Sequence, residues 1–427
     1  MTKTITLLTS GTRGDVIPYI ALGLGLRDAG YNARVAAPVG FKNLIEPSGL
    51  PFAPFDGNPS DLMVNRSEPL TVGRSIVRSI LATFDFLEKA RALYAHMLHN
   101  AMNACRGSDM LLYGLPTLWG AHIAEGLCIP GIRAVLQPLT PTRDFSSALL
   151  PFRFSFLGIG NRFSHWMMIQ ATWLAWRREI NHARRTHFNL PPAHWLDPSL
   201  QSFPNQPLTL NGFSESIVPR PKDWNEKQVI TGYWRLSGVG QFADRNFNQQ
   251  AAQLQNFIDH SSHHTIAIGL GSPGTNDFDQ LIHLVEEVLN HMDTRAVLTI
   301  PKQYHGRINS ERIFPVEYVP HEWLYQRVEV AVHHGGAGTT SASLHAGIPG
   351  IILPLGIDQF FWGERVHKMG VGPKPIPQRA LNANKLANAI QQALTDKSMQ
   401  ERANGISDVL SSEDGVQGAV RVMQETV

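Results

Sequence analysis

The sequence predicts an α/β protein built from two doubly wound, Rossmann-like domains that face each other across a cleft. Three observations predict it. A strand–loop–helix–strand series opens the chain, a second series starts near His264, and a glycine-rich loop follows the first strand of each. The length of 427 residues suits two or three domains, and 43% hydrophobic against 17% charged residues supplies large cores without the signature of disorder.

Ile5–Thr9 is a β-branched and leucine run that reads as a strand. Gly11-Thr-Arg-Gly-Asp15 is a cluster of turn formers, and Pro18–Ala29 reads as a helix with its proline in the first turn and Gly30 as its stop. Ala33–Ala37 returns as a strand and completes a βαβ unit. Residues 73–105 and 162–187 read as long helices, and the prolines recurring across 189–223 leave regular structure sparse there. In the second series Thr265–Leu270 is a strand, Gly271-Ser-Pro-Gly-Thr275 a loop, Phe278–His291 a helix and Ala296–Ile300 a strand. Strands at Val316–Val319, Val328–His333 and Gly350–Pro354 follow, with helices at Thr340–Ala346, Phe361–Met369 and Asn384–Thr395. The expected domains are residues 1–235 and 236–405.

Composition excludes several classes. A net charge of +2 is too small for a protein that neutralises many phosphates, so no nucleic-acid partner is expected. The charge is uneven: residues 1–235 carry 23 basic and 16 acidic side chains, the remainder 14 and 19. Such asymmetry points to two domains with different partners. Two cysteines, Cys105 and Cys128, exclude a disulfide scaffold and suit a reducing compartment. Met1–Leu8 is too short in apolar length for a signal peptide, and no uncharged apolar run nears the ~20 residues of a membrane span. The expectation is a cytoplasmic protein. One segment leaves peripheral membrane contact open: around 163–187, Trp166, Trp173 and Trp176 alternate with Arg177, Arg178, Arg184 and Arg185, as in a core helix with a solvated end or a basic amphipathic face. The close histidine pairs His96/His99, His263/His264 and His333/His334 lack third and fourth ligands at zinc spacing, and no metal is expected.

Ala331-Val-His-His-Gly-Gly-Ala-Gly-Thr-Thr340 carries the most chemistry. A strand enters a loop with three glycines in four positions and leaves as a helix with hydroxyl residues at its start. Free N–H groups and the helix dipole favour an anion there, with His334 and Thr339 as added donors. The alternative is a plain strand-to-helix turn with a threonine cap. Asp358 and Gln359 end the next strand, where ligands of parallel sheets bind, and a phosphate loop beside an Asp-Gln pair suggests a phosphate-linked sugar. Gly269-Leu-Gly271-Ser-Pro-Gly274 matches a dinucleotide fingerprint in letter, but no acid ends the following strand; Ser272 reads better as a second anion contact. No Walker A sequence is present. Asp15 reads either as a helix cap or as a general base at the cleft edge.

Gly11-Thr-Arg-Gly-Asp15-Val-Ile-Pro, Gly232-Tyr-Trp234, Val319-Pro-His-Glu-Trp-Leu324, His333-His-Gly-Gly-Ala-Gly-Thr-Thr340, Asp358-Gln-Phe-Phe-Trp-Gly-Glu-Arg-Val366 and Gly370-Val-Gly-Pro-Lys-Pro-Ile-Pro377 together resemble the sterol 3β-glucosyltransferase branch of the UDP-glycosyltransferases. The resemblance covers nearly the whole chain. It implies the GT-B fold, an acceptor site in the first domain, a UDP-sugar site in the second, and a last segment, 406–427, that returns to the first domain. It places His334, Gly336, Gly338 and Thr339 at the diphosphate with Ser272 opposite, and Asp358 and Gln359 at the sugar hydroxyls. It puts Tyr318 where plant relatives stack a Trp on uracil, flanked by Val319 and His321, and Asp15 at the position of the catalytic base. The implied reaction is metal-independent, inverting transfer of glucose from UDP-glucose to an apolar, hydroxylated small molecule, a sterol foremost. A macrolide, polyketide or phenolic acceptor is the runner-up; a nucleotide-sugar epimerase and a non-enzymatic lipid-binding module are the alternatives of other classes. The sequence departs from the sterol branch at Leu355-Gly-Ile357, where Phe-Phe-Gly is usual; Ala342 stands where plant enzymes hold a ribose-binding Glu that the sterol branch commonly lacks. The aromatics Phe84, Phe86, Phe145, Phe152, Phe154 and Phe156 suggest an apolar acceptor pocket.

Overall fold

A computed structural model describes residues 2–58, 91–150, 158–196, 207–236, 245–260, 263–271 and 277–426. It contains two parallel sheets. The first has seven strands in the order β3-β2-β1-β4-β5-β6-β7: β1 (Thr4–Leu8), β2 (Asn32–Pro38), β3 (Phe52–Phe55), β4 (Met110–Tyr113), β5 (Gly131–Val135), β6 (Thr209–Asn211) and β7 (Gln228–Ile230). The second has five in the order β10-β9-β8-β11-β12: β8 (His264–Gly269), β9 (Thr294–Thr299), β10 (Ile313–Val316), β11 (Val330–His333) and β12 (Gly350–Ile352). The central strands are covered on both faces, and Ile5, Leu7 and Leu8 of β1 are fully buried.

Strand order fixes where ligands can bind. The order in which strands are added reverses between β1 and β4 in the first sheet and between β8 and β11 in the second. At such switch points the loops leaving adjacent strands part and open a crevice at the carboxyl edge. The loops after β1, β4, β8 and β11 are therefore the ones that build the site.

Several elements differ from the sequence expectation. The first helix runs Arg13–Asp28, beginning five residues before Pro18. Asp15, three residues into the helix, turns back and accepts from the Thr12 N–H (2.8 Å) and hydroxyl (2.9 Å), which fixes the start upstream. Pro18 is then interior, and the Gly14 carbonyl loses the partner that a residue-18 N–H would have provided. The strand expected at Val316–Val319 is β10, Ile313–Val316, which stops where its partner β9 stops, at Val316 opposite Thr299. Of the helix expected over 73–105, residues 91–104 are described and are helical; the rest lies outside the described residues.

The two domains share packing. Phe213, Trp224 and Tyr233 from the first bury against Leu344, Phe361, Trp362 and Leu410 from the second. Arg365 donates through Nε to the Ile217 carbonyl at 2.8 Å. The last helix, Gly415–Thr426, places Ala419, Val420 and Met423 in the core of the first domain. Its close approach to the first helix depends on Gly25, where a β-carbon would sit 2.2 Å from Val416 Cγ1. Among the described residues no helix is long and apolar enough to cross a membrane.

Candidate active site

On the first-domain side, a small pocket lies at the β1/β4 switch point, lined by Thr9, Asp15, Tyr19, Gly114, Pro116 and Gln137 among others. Asp15 is placed by the turn that starts the first helix, and both hydrogen bonds to Thr12 fall on Oδ2. Burial raises the Asp15 carboxyl above its ordinary 3.8, against the lowering effect of the Thr12 bonds. Its backbone carbonyl accepts from the Thr9 hydroxyl at 3.0 Å, so both ends of the residue are fixed. Tyr19 spans the pocket floor and donates to the Ala134 carbonyl at 2.6 Å. Cap and candidate base are thus the same side chain.

Across the cleft, β11 delivers His333 and His334 into the glycine loop. The loop is built around the His334 ring. A β-carbon at Gly336 would meet His334 Nε2 at 2.6 Å, and one at Gly271, at the end of β8, would meet Nδ1 at 2.9 Å. The helix that follows, Ala337–His345, has Gly336 as its N-cap and no side-chain cap. The threonine cap weighed from sequence is absent: Thr339 sits at the third helical position, buried. The first intrahelical bond is Thr340 N–H to Gly336 O, so the N–H groups of Ala337, Gly338 and Thr339 precede the ladder. Burial, and then the neighbouring His321, push His334 down to about 4. It is a neutral imidazole at pH 7, with Nδ1 buried and unpartnered. Gly338 faces the first domain directly, its β-carbon position lying 3.8 Å from the Gly14 Cα.

Asp358 and Gln359 follow β12. Gln359 turns its Oε1 inward to accept from Leu355 N–H (2.7 Å) and Gly356 N–H (3.2 Å), which holds the loop and leaves the side-chain NH2 as a donor. Asp358 Oδ2 accepts from Trp362 Nε1 at 2.9 Å. Its carboxyl is pushed up to about 7, first by burial and further by the charge of Asp15. Candidate base and candidate sugar ligand therefore sense each other across the cleft. Immediately before Asp358 stands Ile357 with φ +53°, a left-handed conformation that a β-branched residue rarely adopts.

The remaining expected residues fall as follows. Tyr318 lies at the cleft with the Arg13 guanidinium over its ring, 4.1 Å from the centroid. Val319 is buried in the second domain's core, so a ligand would meet its backbone rather than its side chain. His321 begins the short helix His321–Tyr325 and stacks on Tyr325 at 5.1 Å. Ser272 lies outside the described residues, as do Phe84, Phe86, Phe152, Phe154 and Phe156. Sequence reasoning missed Arg13, Tyr19 and Gln137. Arg13 stood inside the quoted Gly11–Asp15 motif, whereas Gln137 follows a strand that the hydrophobic pattern did not reveal. Among the described residues no group of three or more His, Cys, Asp or Glu side chains is placed to hold a metal.

The chain matches two protein families: the glycosyltransferase family 28 N-terminal domain over residues 5–146, and the erythromycin biosynthesis protein CIII-like C-terminal domain over residues 282–423. It is 33% identical over 434 residues to a sterol 3-beta-glucosyltransferase of Emericella nidulans, covering 98% of this chain and 30% of that protein. A second, from Debaryomyces hansenii, is 32% identical, covering 98% of this chain and 26% of that protein. The chain thus spans under a third of the length of these curated relatives. Among solved structures it is similar to the glycotransferase of kitacinnamycin (TM-score 0.70, 18% identity, 100% and 99% of the two chains). It is also similar to the spinosyn rhamnosyltransferase SpnG complexed with thymidine diphosphate (TM-score 0.63, 16% identity, 99% and 100%). At these identities the structures establish the shared fold.

Proposed function

Because this chain belongs to the GT28/EryCIII-like glycosyltransferases of GT-B fold, we propose that it moves glucose from UDP-glucose to a hydroxyl of a lipophilic acceptor, a sterol, with inversion and without a metal. The observation that carries this reading is the juxtaposition across one cleft of Asp15, at a pocket, with an uncapped helix start at Gly336–Thr339. The relatives' names supply the donor and acceptor class.

In this reading the acceptor hydroxyl lies in the pocket against Asp15. Asp15 takes its proton as the oxygen attacks the anomeric carbon, and the bond from that carbon to the diphosphate oxygen breaks on the opposite face. The charge on departing UDP falls on the N–H groups of Ala337, Gly338 and Thr339 and on a neutral His334, donors already in place before reaction. Asp358 and the Gln359 amide hold sugar hydroxyls, and Tyr318, Val319 and His321 border the base. Exclusion of water protects the donor from hydrolysis.

The test is UDP release from UDP-glucose in EDTA, with and without a panel of sterols and polyphenols. Sterol-dependent release that survives EDTA supports the proposal, and release only with polyphenols moves the acceptor to the natural-product class. No release with any acceptor would defeat it. Asp15→Asn should keep UDP-glucose affinity while turnover collapses; equal loss of both would make Asp15 a structural cap alone.

A further inference from the structure

The long helix Gly158–His187 turns the wrong side outward for a soluble protein. Its buried residues include Asn161, Ser164 and His165 beside Trp173, Ile180 and Arg184, and also Gln170, which is covered although it shares the arc of the exposed residues. Its solvent side carries large apolar residues: Ile159 is 81% exposed, Phe163 58% and Leu174 56%, with Trp166 and Met167 at 41% each. At 100° per residue Ile159, Phe163, Trp166, Met167 and Leu174 fall on one stripe. Phe163 and Trp166 stack on each other at 5.6 Å. Trp195, 63% exposed, lies against this helix: its carbonyl accepts from Trp173 Nε1 at 3.0 Å and from the Arg177 guanidinium at 3.4 Å.

The stripe continues into positive charge. One, two and three turns beyond Leu174 stand the exposed Arg178, His182 and Arg185. The one acid in the helix, Glu179, stands off this face. The domain as a whole is basic, with 23 basic and 16 acidic residues over 1–235. Aromatic and aliphatic side chains beside arginines, with no carboxylate among the described residues of this face, match the interfacial zone of a bilayer bearing anionic headgroups. A second copy of the chain would set this arginine cluster against itself, since a two-fold contact brings the same patch to both sides.

We propose that the outer face of this helix, with Trp195, is a docking surface for an anionic lipid bilayer. Docking stands on the face itself and does not depend on the acceptor assigned above. It does place the acceptor route. The segment that lines the Asp15 pocket with Leu136 and Gln137 runs on to Phe145, which contacts His165 of this helix and Phe361 of the donor domain. Ser147 N–H is held by the Ser164 hydroxyl at 2.9 Å. A bilayer on this face thus lies one loop away from the pocket.

The test is co-sedimentation of the full chain with phosphatidylcholine vesicles, with and without phosphatidylserine, at low and high salt. The expected result is binding to the anionic vesicles that weakens with salt. Phe163→Glu with Trp166→Glu should abolish it, and Arg178→Glu with Arg185→Glu should weaken it roughly tenfold or more. Both double variants should keep the wild-type melting temperature and any UDP-glucose turnover on a cyclodextrin-delivered acceptor, so a docking defect is read separately from misfolding and from a wrong acceptor. Wild-type protein that ignores anionic vesicles overturns the proposal. So does a dimer in vesicle-free solution that Phe163→Glu with Trp166→Glu dissociates, since the face would then belong to a second copy.

Discussion

Replacing Asp358 with Asn tests the electrostatics of the cleft. The Asp358 carboxyl is pushed from 3.8 to about 7 by burial and by Asp15. An acid raised in this way holds its proton more tightly in the folded chain than in the unfolded one. Its ionisation therefore costs stability progressively as pH rises from the unfolded value near 4, and the cost levels off above 7. Between pH 5 and pH 8 about two pH units of that window are crossed, which at ~1.36 kcal/mol per unit is roughly 2–3 kcal/mol. Asn keeps an oxygen for the Trp362 bond and carries no charge. Urea denaturation of wild type and D358N at pH 5 and pH 8 should show the variant gaining about that much relative to wild type at the higher pH. Asp15→Asn should shift the wild-type transition toward lower pH, because the Asp15 charge is one of the causes of the shift. A stability difference between wild type and D358N that is the same at both pH values would refute the reasoning.

Gly336→Ala should raise KM for the donor about tenfold with little change in melting temperature, because the new methyl meets His334 Nε2 at 2.6 Å while the residue's own φ of −63° suits alanine; unchanged steady-state kinetics would count against the role of His334. Ile357→Gly should stabilise the protein by about 1 kcal/mol in urea melts by relieving the left-handed conformation, and a loss of stability would mean that the side chain packs more than it strains. Arg13→Ala should weaken donor affinity several-fold by isothermal titration, and Arg13→Lys should not restore it, since an ammonium lacks the planar face that stacks on Tyr318.

The parts of this molecule that were legible are those where local chemistry and tertiary structure agree. β1, β8, β9 and β11 are buried strands with three apolar residues each, and the glycine loops after β1, β8 and β11 announce the switch points. The strands that escaped notice are short or carry prolines. β3 includes Pro54 and is an edge strand, where one side of the ladder needs no N–H; β10, expected three residues too late, is the other sheet's edge strand and includes Pro315. β6 is Thr209–Asn211, three residues inside a proline-rich stretch, and only its pairing with β5 and β7 makes it a strand. The start of the first helix was misplaced because proline's preference for the first turn was given more weight than the Thr12–Asp15 pair. The second-domain half of the candidate site is legible because glycines, an imidazole and an Asp-Gln pair lie close together in sequence. The first-domain pocket joins residues that follow β1, β4 and β5; Asp15 and Gln137 stand 122 positions apart, and no sequence pattern links them.

The two histidines beside the glycine loop bear on how the proposed leaving group would be stabilised. His334 is lowered to about 4 by burial and by His321, and His333 is lowered further by burial with His334 and His321 as neighbours. Neither carries charge at neutral pH. Each can offer at most one N–H, and the positive potential at the departing diphosphate falls instead to the uncapped start of Ala337–His345, equivalent to about half a charge and insensitive to pH. Asp15 must be ionised to act as base, and its carboxyl is raised, so activity should climb with pH as it loses its proton. No titrating histidine should then pull the rate down between pH 6 and pH 8. In Asp358→Asn, which removes the carboxyl that itself titrates at about 7, the expected kcat/KM profile for the glycosyl transfer therefore ascends from acid pH to a plateau. A descending limb in that range that disappears in His334→Gln would show a protonated imidazolium at work, and the helix start would lose its place as the main source of stabilisation.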